Sequence, residues 1–114
     1  TDKGILLLYN GKNRVDDKRD TRFPAGTYSA GQLLFDAHNP GKVIGRLDVP
    51  FFRPMDNCEK SGQYKDGTVF IEGLVFFKGK WFLYYGCADS LVGVAIFDPS
   101  KKTSGDPLPK NTEA

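Results

Sequence analysis

Residues 68–97 read TVFIEGLVFFKGKWFLYYGCADSLVGVAIF, and the fold is decided here. Val69, Ile71, Val75 and Phe77 alternate with Phe70, Leu74 and Phe76, so both faces of a first strand are apolar. A half-solvated antiparallel strand carries polar residues on one face; this one calls for cover on both. Lys78-Gly79-Lys80 predicts a tight hairpin into a second strand, and Gly86-Cys87-Ala88-Asp89 a turn into a third. Two acids stand out. Glu72 lies inside the first apolar run, where a buried carboxylate must be paired, hydrogen-bonded or turned to a polar cavity. Asp89 follows the aromatic run Trp81, Phe82, Tyr84 and Tyr85.

Working outward, residues 4–9 (GILLLY) predict a strand buried on both faces and ended by a turn at Asn10-Gly11. Residues 12–22 (KNRVDDKRDTR) are charged without apolar period and read as a solvated loop or a flap over a site. Residues 27–36 and 42–47 are two further strands of one antiparallel meander. Gly31 marks a bulge or the close approach of another backbone, and His38, the only histidine, falls in a surface turn. Residues 48–66 form a long irregular connection with Pro50, Pro54 and Gly62. The chain therefore divides into residues 1–98, rich in strands, and a polar tail, residues 99–114.

With 114 residues, thirteen glycines and seven prolines, the chain suits a turn-rich, all-β unit. A net charge of +2 gives no footprint for nucleic acid or an anionic membrane. No apolar run approaches the roughly 20 residues of a membrane-spanning helix. No signal peptide precedes Thr1 and the first residue is not Met, which suggests a processed or truncated product. Cys58 and Cys87 lack a CxxC partner or zinc-ligand spacing, so no metal and no cofactor is expected and the two thiols read as unrelated.

Two successive apolar meanders suggest blades of a β-propeller, each blade four-stranded and covered by its neighbours. The chain has material for about two blades. Alone it would expose wide apolar faces and strand edges, which makes it a piece of a larger fold. A compact β-sandwich is the alternative.

Aromatic platforms beside carboxylates and amides are what sugars require, because C–H faces stack on rings while hydroxyls need donors and acceptors. Tyr28, Phe70, Glu72, Tyr85, Asp89 and Asn10 offer that mixture. The succession LLYNG, TYSAGQLLFD, NPGKVIGR, PFFRP, EKSGQ, VFIEG and WFLYYGCADSLVGVA resembles glycoside hydrolase family 130, the mannoside phosphorylases and β-1,2-mannosidases. The resemblance runs from about Gly4 to about Asp98. It implies the carboxy-terminal blades of a five-bladed β-propeller, with the remaining amino-terminal blades of the same enzyme as partners, a β-mannoside as substrate, and a periplasmic or secreted location in preference to the cytoplasm. It also implies that Asp89 and Tyr28 bind a mannose in the −1 subsite and that Phe70 lies near the sugar. The family's general-acid aspartate has no match here, so the chain is not expected to be catalytic on its own.

Where the phosphorylases carry a phosphate-binding histidine, this sequence has Asn10, which supplies no positive charge. Glu72 stands where phosphorylases have a neutral residue. The resemblance thus favours an inverting hydrolase, whose acid and base stand roughly 6.5–9.5 Å apart to admit a water. Glu72 is the candidate base, and Glu59 the runner-up against its simpler reading as a surface loop charge. A phosphorylase of the same family and a non-catalytic sugar-binding or scaffold segment are the alternatives.

Overall fold

The computed structural model describes residues 1–101; the expected tail therefore lies almost wholly outside the described residues. Among the described residues six strands form two three-stranded antiparallel sheets. The first holds β1 (Ile5–Lys12), β2 (Tyr28–Phe35) and β3 (Val43–Arg46). The second holds β4 (Val69–Phe77), β5 (Lys80–Cys87) and β6 (Leu91–Phe97). In each sheet the spatial order follows the chain, consecutive strands lying side by side. Both sheets thus have three described strands where four-stranded blades were expected.

Asn10-Gly11 is not a turn. β1 runs through it to Lys12, with Asn10 opposite Ala30 and Gly11 opposite Ser29. Local turn propensity yields because β2 offers an uninterrupted register from Phe35 to Tyr28, and the chain reverses later, between residues 13 and 27. That reversal is organised rather than loose. The Asn13 side chain accepts the Asp20 N–H and donates to the Asp20, Phe23 and Pro24 carbonyls. Its charges pair as Arg14–Asp16, Arg22–Asp20 and Arg22–Asp48.

The second hairpin turns on Lys78 and Gly79 alone, with φ of 48° and 78°, the pair of left-handed residues a two-residue loop needs. Lys80 already belongs to β5, opposite Phe77. Along β4, Ile71 faces Tyr85 and Gly73 faces Tyr84, so Glu72 is the extra residue of a β-bulge. The bulge turns Glu72 outward. It is exposed, which corrects the expectation of a carboxylate buried in an apolar strand.

A small core lies in the second sheet, where Val69, Tyr85 and Cys87 are buried against Phe52, Ile71 and Ala95. Much apolar surface elsewhere is open: the consecutive residues Leu74, Val75, Phe76 and Phe77 are each 44–57% exposed, on alternating faces. A sandwich would hide one of those faces. Among the described residues neither face is covered.

Gly31 marks close approach, but of a ring rather than a backbone. A Cβ there would lie 2.4 Å from the Tyr9 ring across the strand pair, and one at Gly93 would lie 2.5 Å from the Tyr85 ring. Both thiols are free, as expected, with no disulfide between them. Burial first, and then Cys58 beside it, pushes the Cys87 thiol up, while Cys58 itself is exposed.

Candidate functional site

The two sheets meet where β2 and β4 begin. Tyr28 and Thr68 form a parallel bridge; the Tyr28 N–H donates to the Gly67 carbonyl at 3.1 Å, and the Thr27 hydroxyl to that of Asp66 at 2.8 Å. Three rings gather at this end. Tyr28 packs edge-on to Tyr64 at 5.4 Å and to Phe70 at 5.8 Å between centroids. Tyr64 comes from the irregular connection and is held by its hydroxyl, which donates to the Gly26 carbonyl at 2.7 Å. The Lys12 ammonium caps the group, 5.4 Å from the Tyr28 centroid and 5.6 Å from that of Tyr64. The Tyr64 phenol first, and then that of Tyr28, hold the lysine's pKa above its ordinary value. Such a cluster offers ring faces for C–H stacking and a cation whose remaining N–H groups can meet hydroxyl oxygens.

Asp89 reaches the same end of the molecule. The residue before it, Ala88, donates its N–H to the Thr68 carbonyl and accepts that of Tyr64, both at 3.1 Å. Thr68 directly precedes β4 and Tyr64 is part of the ring cluster, so the carboxylate's turn is fastened between the two. Asp89 is exposed.

Asn10, by contrast, is spent on the fold. Its carboxamide donates to the Ile71 carbonyl at 3.0 Å and accepts the Ile71 N–H at 2.8 Å, clipping β1 to the free edge of β4. An amide carries a donor and an acceptor side by side and satisfies both backbone groups at once. Asn10, expected from sequence at the sugar, thus acts as an inter-sheet clip while lining the cleft beside Glu72. Glu72, one residue beyond, opens on a cleft of about 310 Å³ between the sheets, lined also by Leu6, Leu8, Asn10 and Leu83. It stands two residues past Phe70, about 6–7 Å of strand rise from the ring cluster.

Glu59 is not a surface charge. It is 3% exposed. One carboxylate oxygen accepts the N–H groups of Met55 and Asp56, at 2.7 and 2.9 Å, and the other the Tyr85 hydroxyl at 2.8 Å. Burial alone would raise its pKa, but these donors outweigh burial and hold it below the carboxylate range. On Tyr85, burial first and Glu59 second push the phenol up. Tyr85 is 8% exposed with the Phe52 ring edge-on at 4.7 Å, so it stands in the core and not on a sugar platform. A larger cleft, about 500 Å³, lies against Tyr9, Phe23, Arg46 and Asp48.

Of the residues singled out from sequence, Tyr28, Phe70 and Asp89 come together at one end, Glu72 stands beside them, and Asn10, Tyr85 and Glu59 hold the scaffold. Lys12 and Tyr64 were missed. Lys12 continues the alternation Leu6, Leu8, Asn10 on one face of β1, a signal hidden once Asn10-Gly11 is taken as a turn. Tyr64 sits in a segment with no period to read.

Two antiparallel sheets with unsheltered faces, met at one end by rings and an acid, fit blades of a larger propeller. The chain matches, over residues 1–101, the family described as beta-1,4-mannooligosaccharide phosphorylase, and it belongs to glycoside hydrolase family 130. It is all-β and supplies about two blades of the family's five-bladed propeller. A solved family structure, described among glycoside hydrolases that target β-1,2 mannosidic linkages in Candida mannan, shares 64% identity at a TM-score of 0.85. That likeness covers 95% of this chain and 30% of the other. A glycosyl hydrolase from Bacteroides ovatus is similar at 64% identity and a TM-score of 0.83, over 96% of this chain and 30% of its own. The beta-1,2-mannobiose phosphorylase of Thermoanaerobacter sp. (strain X514) is 34% identical over 98 residues, 86% of this chain. The chain spans 29% of that relative's length.

Proposed function

We propose that this chain is the carboxy-terminal part of an inverting glycoside hydrolase acting on β-1,2-linked mannosides, and that it supplies the walls of the −1 subsite. The observation that carries the reading is the assembly of Tyr28, Phe70 and the Asp89 turn at one end of the two sheets. In this reading the mannose ring stacks against Tyr28 and Phe70. Asp89 accepts hydrogen bonds from its hydroxyls, and Lys12 donates to an oxygen from above the Tyr28–Tyr64 pair. Glu72, exposed on its bulge, is the base that draws a proton from the attacking water. The general acid that protonates the leaving oxygen comes from outside this chain. Of the two glutamates, only Glu72 has access to a water; Glu59 is enclosed and fully engaged.

Hydrolysis is supported by 64% identity to structures described as hydrolases, against 34% to a curated phosphorylase. A phosphorylase is the second reading, favoured by the family's description and by the cation of Lys12 at the rings. Supplying the full-length protein with β-1,2-mannobiose, with and without inorganic phosphate, separates the two. Release of mannose without phosphate is expected. Strict phosphate dependence with mannose 1-phosphate as product would replace the hydrolase reading. Glu72→Gln should lower kcat far more than it raises KM.

A further inference from the structure

Asp89 and its neighbour both adopt left-handed backbone, which an aspartate tolerates and an alanine rarely takes up. Ala88 has φ 47° and Asp89 φ 53°, two consecutive non-glycine residues in the left-handed region. Such a turn persists only where its surroundings over-determine it. Ser90 supplies the key link. Its hydroxyl donates to the Ala88 carbonyl at 3.2 Å and accepts the Gln63 N–H at 3.0 Å, and its N–H donates to the Cys87 carbonyl at 3.0 Å. Gly62 presses on the same point: a Cβ there would stand 2.6 Å from both the Ala88 oxygen and the Ser90 hydroxyl oxygen. Ala88 itself is fully buried and cannot swing away.

We propose that Ser90 and Gly62 are positioning residues that clamp the turn and thereby aim the Asp89 carboxylate at the sugar. The inference rests on the reading of Asp89 as a mannose ligand. Hydrogen bonds to hydroxyls are directional, and a carboxylate on a turn free to relax to right-handed φ would point elsewhere. A displacement of about 1 Å is enough to cost a large factor in turnover. Removing the hydroxyl of Ser90 unties residues 61–64 from the turn without touching the carboxylate. Adding a methyl at Gly62 pushes the same two oxygens apart.

The test is a double-mutant cycle in the full-length enzyme, with kcat/KM on a β-mannoside and the melting temperature measured for each variant. Asp89→Asn should lose about 100-fold or more, as loss of a charged hydrogen-bonding group to substrate does. Ser90→Ala should lose about 10-fold at an unchanged melting temperature, Ser90→Thr should keep activity within about 3-fold, and Gly62→Ala should follow Ser90→Ala. The Asp89→Asn/Ser90→Ala pair should be no worse than Asp89→Asn alone, because Ser90 acts through Asp89. Full activity in Ser90→Ala, or its whole loss added again on top of Asp89→Asn, overturns the clamp. Wild-type activity in Asp89→Asn would instead remove the ligand reading beneath it.

Discussion

The two sheets use one local device in two settings. Tyr9 lies opposite Gly31 in the first and Tyr85 opposite Gly93 in the second, and the register matches beyond that pair. Four residues before each tyrosine a large apolar residue faces a phenylalanine, Ile5 with Phe35 and Trp81 with Phe97. In both cases the ring lies over the glycine of the neighbouring strand, covering backbone that has no side chain of its own. The hydroxyls part company. That of Tyr85 is buried against Glu59 under the Phe52 ring, whereas Tyr9 borders the 500 Å³ cleft with only a 3.5 Å contact from Arg46. The strand pair dictates the ring over the glycine; the connection that folds back over it dictates whether the ring is trapped.

Substitution at the glycines should break the symmetry most. An added methyl has no room at either site, but Tyr9 can swing into its cleft while Tyr85 is held at both ends. Gly93→Ala should cost about 3 kcal/mol and Gly31→Ala about 1 kcal/mol in urea unfolding of the full-length protein. Equal losses would mean that the Tyr9 ring is as tightly enclosed as that of Tyr85. Next comes the clip between the sheets. Asn10→Ala strands both polar groups of Ile71 and should cost about 2 kcal/mol by the same measurement. A change below about 0.5 kcal/mol would show that the sheets need no clip. Third, Tyr85→Phe leaves one Glu59 oxygen without its donor and should cost about 1.5 kcal/mol, while Tyr9→Phe should cost below about 0.5 kcal/mol.

The smallest effect is in pH. The folded-state pKa of Glu59 lies below its ordinary 4.5, so the unfolded chain binds this proton more readily. The stabilisation is therefore complete above that ordinary value and is lost as pH falls from it through the lowered folded value. Urea unfolding of the protein and of Glu59→Gln, compared from neutral pH downward, should show a steeper fall in the parent below pH 4.5. Parallel curves would separate Glu59 from acid stability.

Much of the strand pattern was legible from residues alone. Alternation over residues 69–77 and Gly79 between lysines led to β4, the hairpin and β5, because these are local facts of period and turn chemistry. The family was legible too, since YYGCADS and its companions survive as contiguous strings. The bulge at Glu72 was not. Gly73 follows Glu72 in an apolar run, and only pairing with β5 reveals that Ile71 and Gly73 face adjacent residues, leaving Glu72 over.

For the site, the split follows distance along the chain. The sequence by itself determined the element types, the aromatic and acidic inventory, and the uncovered apolar faces of a partial propeller. Tertiary structure decided which polar groups were available. Asn10 lies 61 residues from the backbone it clips, and Glu59 26 residues from the phenol it binds. Tyr64 is 38 residues from the carbonyl that fixes its ring. Hydrophobic periodicity reports which side of a strand a residue faces, and it carries no information about which distant donor or acceptor will meet it there. Residues 68–97 announced two acids of unknown purpose. Folding turned one outward on a bulge and set the other on a hydrogen-bonded left-handed turn at the end where the rings gather.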